Sequence, residues 1–440
     1  MRVFFKIYVI VFYIFFSLND DLFKKFSSRP NILWLVAEDQ SPEFFPMYGN
    51  KTISLPNLEQ LTKDGIIYTN AYAPVPVCAP SRSALITGMY PSTIGTHNMR
   101  TYNAYKKFNE PSINIPSYSP IVPEGVRMFT EYLRKQGYYC TNNSKEDYNF
   151  KPLPNAWDES SRKAHWKNRP KGTPFFSVFN FGITHESQIW KQKNEPLLVD
   201  PEKLIVPPIF PDNDIIRKDL AVNYSNLIRL DVQVGSILNE LKSAGLYDNT
   251  LIFFYSDHGG PFPRHKRALY ETGIKVPLII KMPHNKNAQN QEERFVSFID
   301  YAPTLLSFVG IDPPEIMQGK AFLGKHKTPN PSFIFATSDR YDEKVDKLRA
   351  VRYGNYKYIR NFNPTISNAI DITYREQMPM MKNMRELWEF NKLSKNIAQW
   401  FSTPKPEEEL YDISNDPYEL KNLAKNRELI DTLYLLRNIL

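Results

Sequence analysis

The chain has 440 residues, 42% of them hydrophobic and 23% charged, with a formal net charge of +8. That length can bury a large core in one domain or two unequal ones, and that composition excludes wholesale disorder. The positive balance suits an anionic partner, yet no arginine-rich tract or nucleic-acid module accompanies it, so nucleic acid is not an expected partner and most lysines read as solvated surface.

At the N-terminus, Arg2 and Lys6 precede an apolar run over 7–18, and Asp20 and Asp21 follow it. That is the layout of a secretory signal peptide, too short to span a bilayer comfortably. Residues 1–28 are therefore set aside as signal peptide and leader. The product is expected to be exported: secreted, periplasmic or in a lysosomal-type lumen. An uncleaved signal acting as an anchor is the alternative, since no small-x-small cleavage site stands out. No later stretch reads as a membrane span.

Continuous apolar runs over 31–37, 66–72, 175–181, 251–255 and 277–281 read as strands covered on both faces. Helical patterns separate them over 56–64, 124–136 and 214–244, and Asp300 is placed as the cap of a helix running to 309. Strands alternating with helices imply an α/β fold: a large, mostly parallel sheet sandwiched by helices, over 29–337. From 338 the texture changes. Residues 348–360 read as a hairpin about Gly354-Asn355, and 415–440 as helix. Residues 338–440 thus form a smaller C-terminal α+β subdomain with an antiparallel sheet. The polar, proline-bearing stretches 148–173 and 195–212 read as surface excursions. No internal repeat is present.

The chain has two cysteines. Cys140, in Tyr138-Tyr139-Cys140-Thr141, reads as a buried strand residue, and no disulfide is expected although export would permit one. Open α/β sheets bind ligands at the carboxyl ends of their strands. Polar, metal-competent residues follow the apolar runs directly: Glu38-Asp39, the 142–147 segment, His185, and Asp257-His258-Gly259-Gly260. Each alone is an ordinary turn or cap residue. Together, Glu38, Asp39, Asp257 and His258 point to a divalent cation, with hard oxygens favouring Ca²⁺ or Mg²⁺ over zinc. Spacing by itself does not bring them together.

Cys78-Ala79-Pro80-Ser81-Arg82, followed by Leu85-Ile86-Thr87-Gly88, resembles the maturation signature of type I sulfatases of the alkaline-phosphatase superfamily. The resemblance extends over nearly the whole mature chain. It implies that Cys78 is oxidised to formylglycine by a formylglycine-generating or equivalent maturation enzyme, and that a calcium ion is bound. Glu38-Asp39 resembles the family's acidic pair, with Glu38 where aspartate is usual. Lys145 falls on one active-site lysine and Lys266 on the second. Asp147 occupies a position where the family has histidine, and His258 one where asparagine is more usual. His185, in Thr184-His185-Glu186, matches the substrate-side histidine.

The same resemblance distributes the chemistry. A hydrated aldehyde offers one hydroxyl to attack sulfur and a second to expel sulfate, an exit that a thiol lacks. Glu38, Asp39, Asp257, His258 and residue 78 are implied to hold the cation. Arg82, Lys145 and Lys266 would neutralise the sulfuryl group, His97 is a candidate base and His185 a candidate proton donor to the leaving group. Asn98, Arg100, Asp147 and Arg267, which neighbour these groups in sequence, are assigned to substrate contact. The expected activity is removal of sulfate from a sulfated carbohydrate such as a glycosaminoglycan fragment. The stretch beginning at Asp257 resembles heparan N-sulfatases (sulfamidases), so a sulfamate is as admissible as an O-sulfate. The alternatives are a phosphonate or phosphodiester hydrolase of the superfamily, or an inactive glycan-binding relative that Asp147 and His258 keep open. Sequons at Asn50, Asn142 and Asn223 are read as chance.

Overall fold

Strand β1 (Asn31–Ala37) is the axis of the main sheet in a computed structural model of the chain, which describes residues 29–99, 119–151, 153–284 and 290–440. The signal segment 1–28 and Arg100 lie outside the described residues. In chain order there follow helix α1 (Pro56–Lys63), β2 (Ile66–Tyr72), α2 (Cys78–Thr87), α3 (Phe129–Lys135), β3 (Tyr139–Asn143), β4 (Glu159–Ser160), β5 (Phe175–Phe181) and the long α4 (Asp214–Ser243). Then come β6 (Thr250–Ser256), β7 (Lys275–Lys281), β8 (Asn290–Ser297) and α5 (Tyr301–Phe308). The last elements are β9 (Phe333–Tyr341), β10 (Lys344–Tyr353), β11 (Tyr356–Asn361), α6 (Pro379–Glu389), β12 (Glu408–Asp412) and α7 (Ile430–Ile439).

The eight-stranded sheet has the order β4-β3-β5-β1-β6-β7-β2-β8. β1 runs parallel to β5 on one side and β6 on the other, and only β7 is antiparallel to its neighbours. Every residue of β1 is buried, because successive side chains enter different cores. Leu33 and Leu35 pack with Leu220, Leu227 and Val234 of α4. Trp34 and Val36 pack with Phe129, Phe176, Phe253 and Tyr301. The four-stranded antiparallel sheet, β12-β11-β10-β9, starts at Phe333, so the change of texture at 338 falls inside its first strand. The two-residue turn at Gly354-Asn355 closes the β10–β11 hairpin, with Gly354 at φ 51°.

Four expectations are corrected. The 124–136 helix begins only at Phe129: Gly125, at φ 85°, closes a turn instead, and Glu131 accepts from the Met128 amide at 3.2 Å. Asp300 stands at the N-cap position of α5, as expected, but its side chain does not cap that helix. It sits at the end of a 3₁₀ turn (Phe298–Asp300), accepting from the amides of Ser297 (2.9 Å) and Lys320 (2.8 Å). Within 415–440, helix α7 is preceded by turns in which Asp412 and Asp416 accept the Ser414 and Lys421 amides. The excursions are partly core: Tyr148, Phe150 and Trp166 are buried, as are Ile209 and Phe210.

Cys78 and Cys140 are both buried and unpaired. Asn142 and Asn223 are buried and hydrogen-bonded to Ser160 and Gln40, and Asn50 binds the Glu43 carbonyl and the Tyr224 hydroxyl. Among the described residues, no helix is long and apolar enough to cross a membrane.

Candidate active site

Parallel pairing in register aligns Ala37 with Ser256, so the residues that follow β1 and β6 emerge side by side. The Asp257 amide donates to the Ala37 carbonyl (3.2 Å) and the Asp39 amide to Asp257 Oδ1 (3.1 Å). Asp39 sits at φ 55°, which turns its carboxylate back over the sheet end. β5 delivers Asn180 and then Thr184-His185-Glu186 to the same pole, and β3 leads to Lys145. Helix α2 enters from the other side with Cys78 at its first position, and Ser81 Oγ donates to the Asp257 carbonyl at 2.5 Å.

Four donors meet here. His258 Nε2 lies 2.9 Å from Asp39 Oδ1, 3.3 Å from Cys78 Sγ and 3.8 Å from Asp257 Oδ1, and Cys78 Sγ is 3.7 Å from Asp39 Oδ1. The four ligand atoms all lie within 4.8 Å of one another, all buried. His258 Nδ1, 2.9 Å from the Gly259 carbonyl, fixes which nitrogen faces the acids. This donor set fits a cation. Burial alone would lower His258, but Asp257 and Asp39 push it up to about 10; a cation held by the same two carboxylates would take the place of that proton at Nε2. Glu38 is not among the four. Its carboxylate is 2.8 Å from Lys145 Nζ and 3.9 Å from Arg82, where it balances cations.

Lys266 Nζ reaches Asp39 Oδ2 (2.7 Å), Glu186 Oε1 (3.0 Å), His185 Nε2 (3.4 Å) and Cys78 Sγ (3.5 Å). Arg82 binds Asp257 Oδ2 through Nε (3.0 Å) and Asn180 Oδ1 (2.6 Å). Burial would raise the Cys78 thiol, but Lys145 and Lys266 overcome this and bring it down to about 6. Residue 78 therefore stands in a pocket built to stabilise negative charge. Lys145 is a quarter exposed and His185 half-buried, so the pole is reachable from solvent.

The other expected residues are spread more widely. Asp147, at φ 51°, is 3.7 Å from Lys145. Asn98 offers its carbonyl to Asn149, and His97 has a buried Nδ1 without a partner and no ion pair to the cluster among the described residues. Arg267 does not face open solvent: it is buried in a bidentate pair with Glu186 at 2.8 and 2.9 Å. Glu186 was not singled out by the sequence. Its amide donates to Asp39 Oδ2 at 2.7 Å, and Arg267 and Lys266 outweigh its burial to hold its carboxyl at about 2. Its place directly after His185 was the available signal. Asn180, the Arg82 partner, carried no signal beyond closing an apolar run.

The sulfatase family model matches residues 30–176 and 139–311, and the model of the N-sulphoglucosamine sulphohydrolase C-terminal region matches 262–405. An ulvan-active sulfatase of Formosa agariphila is 44% identical over 448 residues, 94% of this chain and 74% of that protein. Human N-sulphoglucosamine sulphohydrolase is 26% identical over 473 residues, 93% of this chain and 89% of that protein. A solved structure of a protein with its substrate D-glucosamine-2-N,6-O-disulfate superposes with a TM-score of 0.65 at 19% identity, covering 93% of this chain and 96% of that one. A phosphonate monoester hydrolase of Agrobacterium radiobacter superposes with a TM-score of 0.67 at 16% identity, covering 93% and 94%. Identities this low establish the shared fold alone.

Proposed function

The chain belongs to the sulfatase family of hydrolases, and on that premise we propose that it removes sulfate from a sulfated polysaccharide of the ulvan type. The observation that carries the reading is the meeting of Asp39, Cys78, Asp257 and His258 at one pole, ringed by Arg82, Lys145 and Lys266. The ulvan-active relative, similar over 94% of the chain, supports the substrate class.

In this reading Asp39, Asp257 and His258 hold a divalent cation, calcium by the hardness of the two carboxylates, which when bound polarises the sulfuryl group. Cys78 is matured to formylglycine by a dedicated enzyme, and its hydrate supplies the attacking and the expelling hydroxyl. Lys145 and Lys266, both of which act on the charge of residue 78, neutralise the sulfuryl oxygens, while Arg82 holds Asp257 in place. His185, half-buried with Nδ1 held 3.0 Å from Ser187 Oγ, stands at this pole as the proton donor to the departing sugar oxygen. Export through the 1–28 segment places the enzyme with such a polymer.

The test is sulfate release, followed by ion chromatography, from ulvan oligosaccharides and from N-sulfoglucosamine, beside nitrophenyl sulfate and a nitrophenyl phosphodiester. The expected result is sulfate from ulvan fragments and a kcat/KM for the sulfate ester well above that for the phosphodiester. Dominant phosphodiester turnover would overturn the reading, and dominant release from N-sulfoglucosamine would move the substrate to a sulfamate.

A further inference from the structure

Beside His185 stand two half-buried aromatic rings that the chemistry above does not use. The Tyr374 ring lies 6.4 Å from that of His185 at 67°, and the Trp190 ring 5.3 Å from that of Tyr374 at 74°. Trp190 comes from the turn of helix that follows His185 (Ser187–Lys191). Tyr374 comes from the C-terminal region, some 190 residues on, and packs against a small core cluster of Val75, Val77, Tyr341, Ile370 and Ile372.

The Tyr374 backbone is held tightly for a loop residue. The Thr373 amide donates to Glu343 Oε1 at 2.8 Å. Arg375 is buried, lies over Trp400 at 5.2 Å and donates to the Ile370 carbonyl. Glu376 is gripped by Arg385 at 2.7 and 2.8 Å. Two guanidinium groups so placed fix the 373–376 segment, and preorganised rings bind without paying ordering entropy on association. Aromatic rings offer a broad apolar face with an amphipathic edge, which suits the alternating faces of a sugar ring.

We propose that Tyr374, braced edge-to-face by Trp190, forms an aromatic wall that positions the sugar ring bearing the scissile sulfate beside His185. The proposal rests on the carbohydrate reading above. Its test is kinetics of the calcium-loaded, matured enzyme on ulvan oligosaccharides, with inorganic sulfate as a competitive inhibitor. Tyr374→Leu and Trp190→Ala should each raise KM about tenfold with kcat within about twofold and the sulfate Ki unchanged. Tyr374→Phe, which keeps the ring, should stay within about twofold of wild type. An unchanged KM in Tyr374→Leu would overturn the aromatic wall alone, and a KM and Ki that rise together would overturn it by showing general collapse of the pocket. Wild-type enzyme that hydrolyses nitrophenyl sulfate but no sulfated oligosaccharide would sink the carbohydrate reading, and the wall with it.

Discussion

Two of the clusters of buried charge in the molecule are built for opposite ends. At the pole of the main sheet, the Asp39, Asp257 and Glu38 carboxyls are all held low and a thiol is brought down to about 6. Between the two sheets, Lys357 of β11 sits 2.8 Å from Glu419 and 3.4 Å from Glu271, with Arg352 of β10 3.6 Å from Glu271. There Tyr72 donates to Glu271 at 3.0 Å, and the Glu271 amide to Glu419 at 2.6 Å. Both sets are buried and both mix acids with bases. The second, however, contains no nucleophile and no half-exposed member at its centre, and its partners come from the elements it joins. It is a staple that fastens the antiparallel sheet to the main one. Buried charge alone therefore does not mark a reactive site; a nucleophilic position, a shared cation site and an opening to solvent do.

The largest expected effect separates the two at once. Cys78→Ala should reduce turnover by about 10⁴-fold or more, because it removes the nucleophile itself, while the melting temperature barely moves. Peptide mass spectrometry of the wild-type segment around Cys78 should find a peptide lighter than the encoded one. Retained activity in the alanine variant would remove the nucleophile from the proposal and erase the contrast.

The converse change is Lys357→Met. Taking the cation from between two buried carboxylates leaves charge uncompensated, at a cost of about 3 kcal/mol. The melting temperature should fall by several degrees while kcat per folded molecule stays unchanged, read by thermal denaturation and by active-site titration. A loss of kcat at full folding would mean that the staple reaches the site and that the two regions are one system.

How much of this was legible in the sequence follows the same division. The strands β1 and β5 could be read to the residue, because burial on both faces leaves a run that is apolar nearly throughout, and β2 kept its expected bounds although Thr69 and Asn70 are only partly buried. β8 could not: Asn290-Gln291-Glu292-Glu293-Arg294 opens it as a polar edge strand, with only its second half reaching the core. At the site, acids at strand ends were readable because parallel strands carry their carboxyl ends to one pole. The separation of Glu38 from Asp39 was not. The two are adjacent, and it is the left-handed backbone at Asp39, φ 55°, that sends neighbouring carboxylates to different partners. The Glu186–Arg267 pair was equally hidden, since 81 residues separate its members and no local pattern links them. The staple was invisible for the same reason.

A third buried carboxylate tests the comparison from its quiet side. Asp219 of α4 is 1% exposed and makes no ion pair among the described residues; its Oδ2 accepts the Met380 amide at 2.7 Å, capping α6 from another helix. Burial raises its carboxyl to about 7, with the Met380 amide, Lys218 and Lys193 only partly opposing. A raised folded pKa contributes stability that is fully present below the unfolded value, near 3.8, and is lost as pH rises through about 7. Asp219→Asn keeps the accepting oxygen and removes the titration. Its advantage over wild type should therefore be small near pH 4, widen through pH 7 and level off by pH 8, on the order of 4 kcal/mol. Melting curves of both proteins across that range supply the check. A gap independent of pH would show that Asp219 is already ionised in the folded protein, and that a helix N-terminus can do for a lone carboxylate what Lys266 does for Asp39.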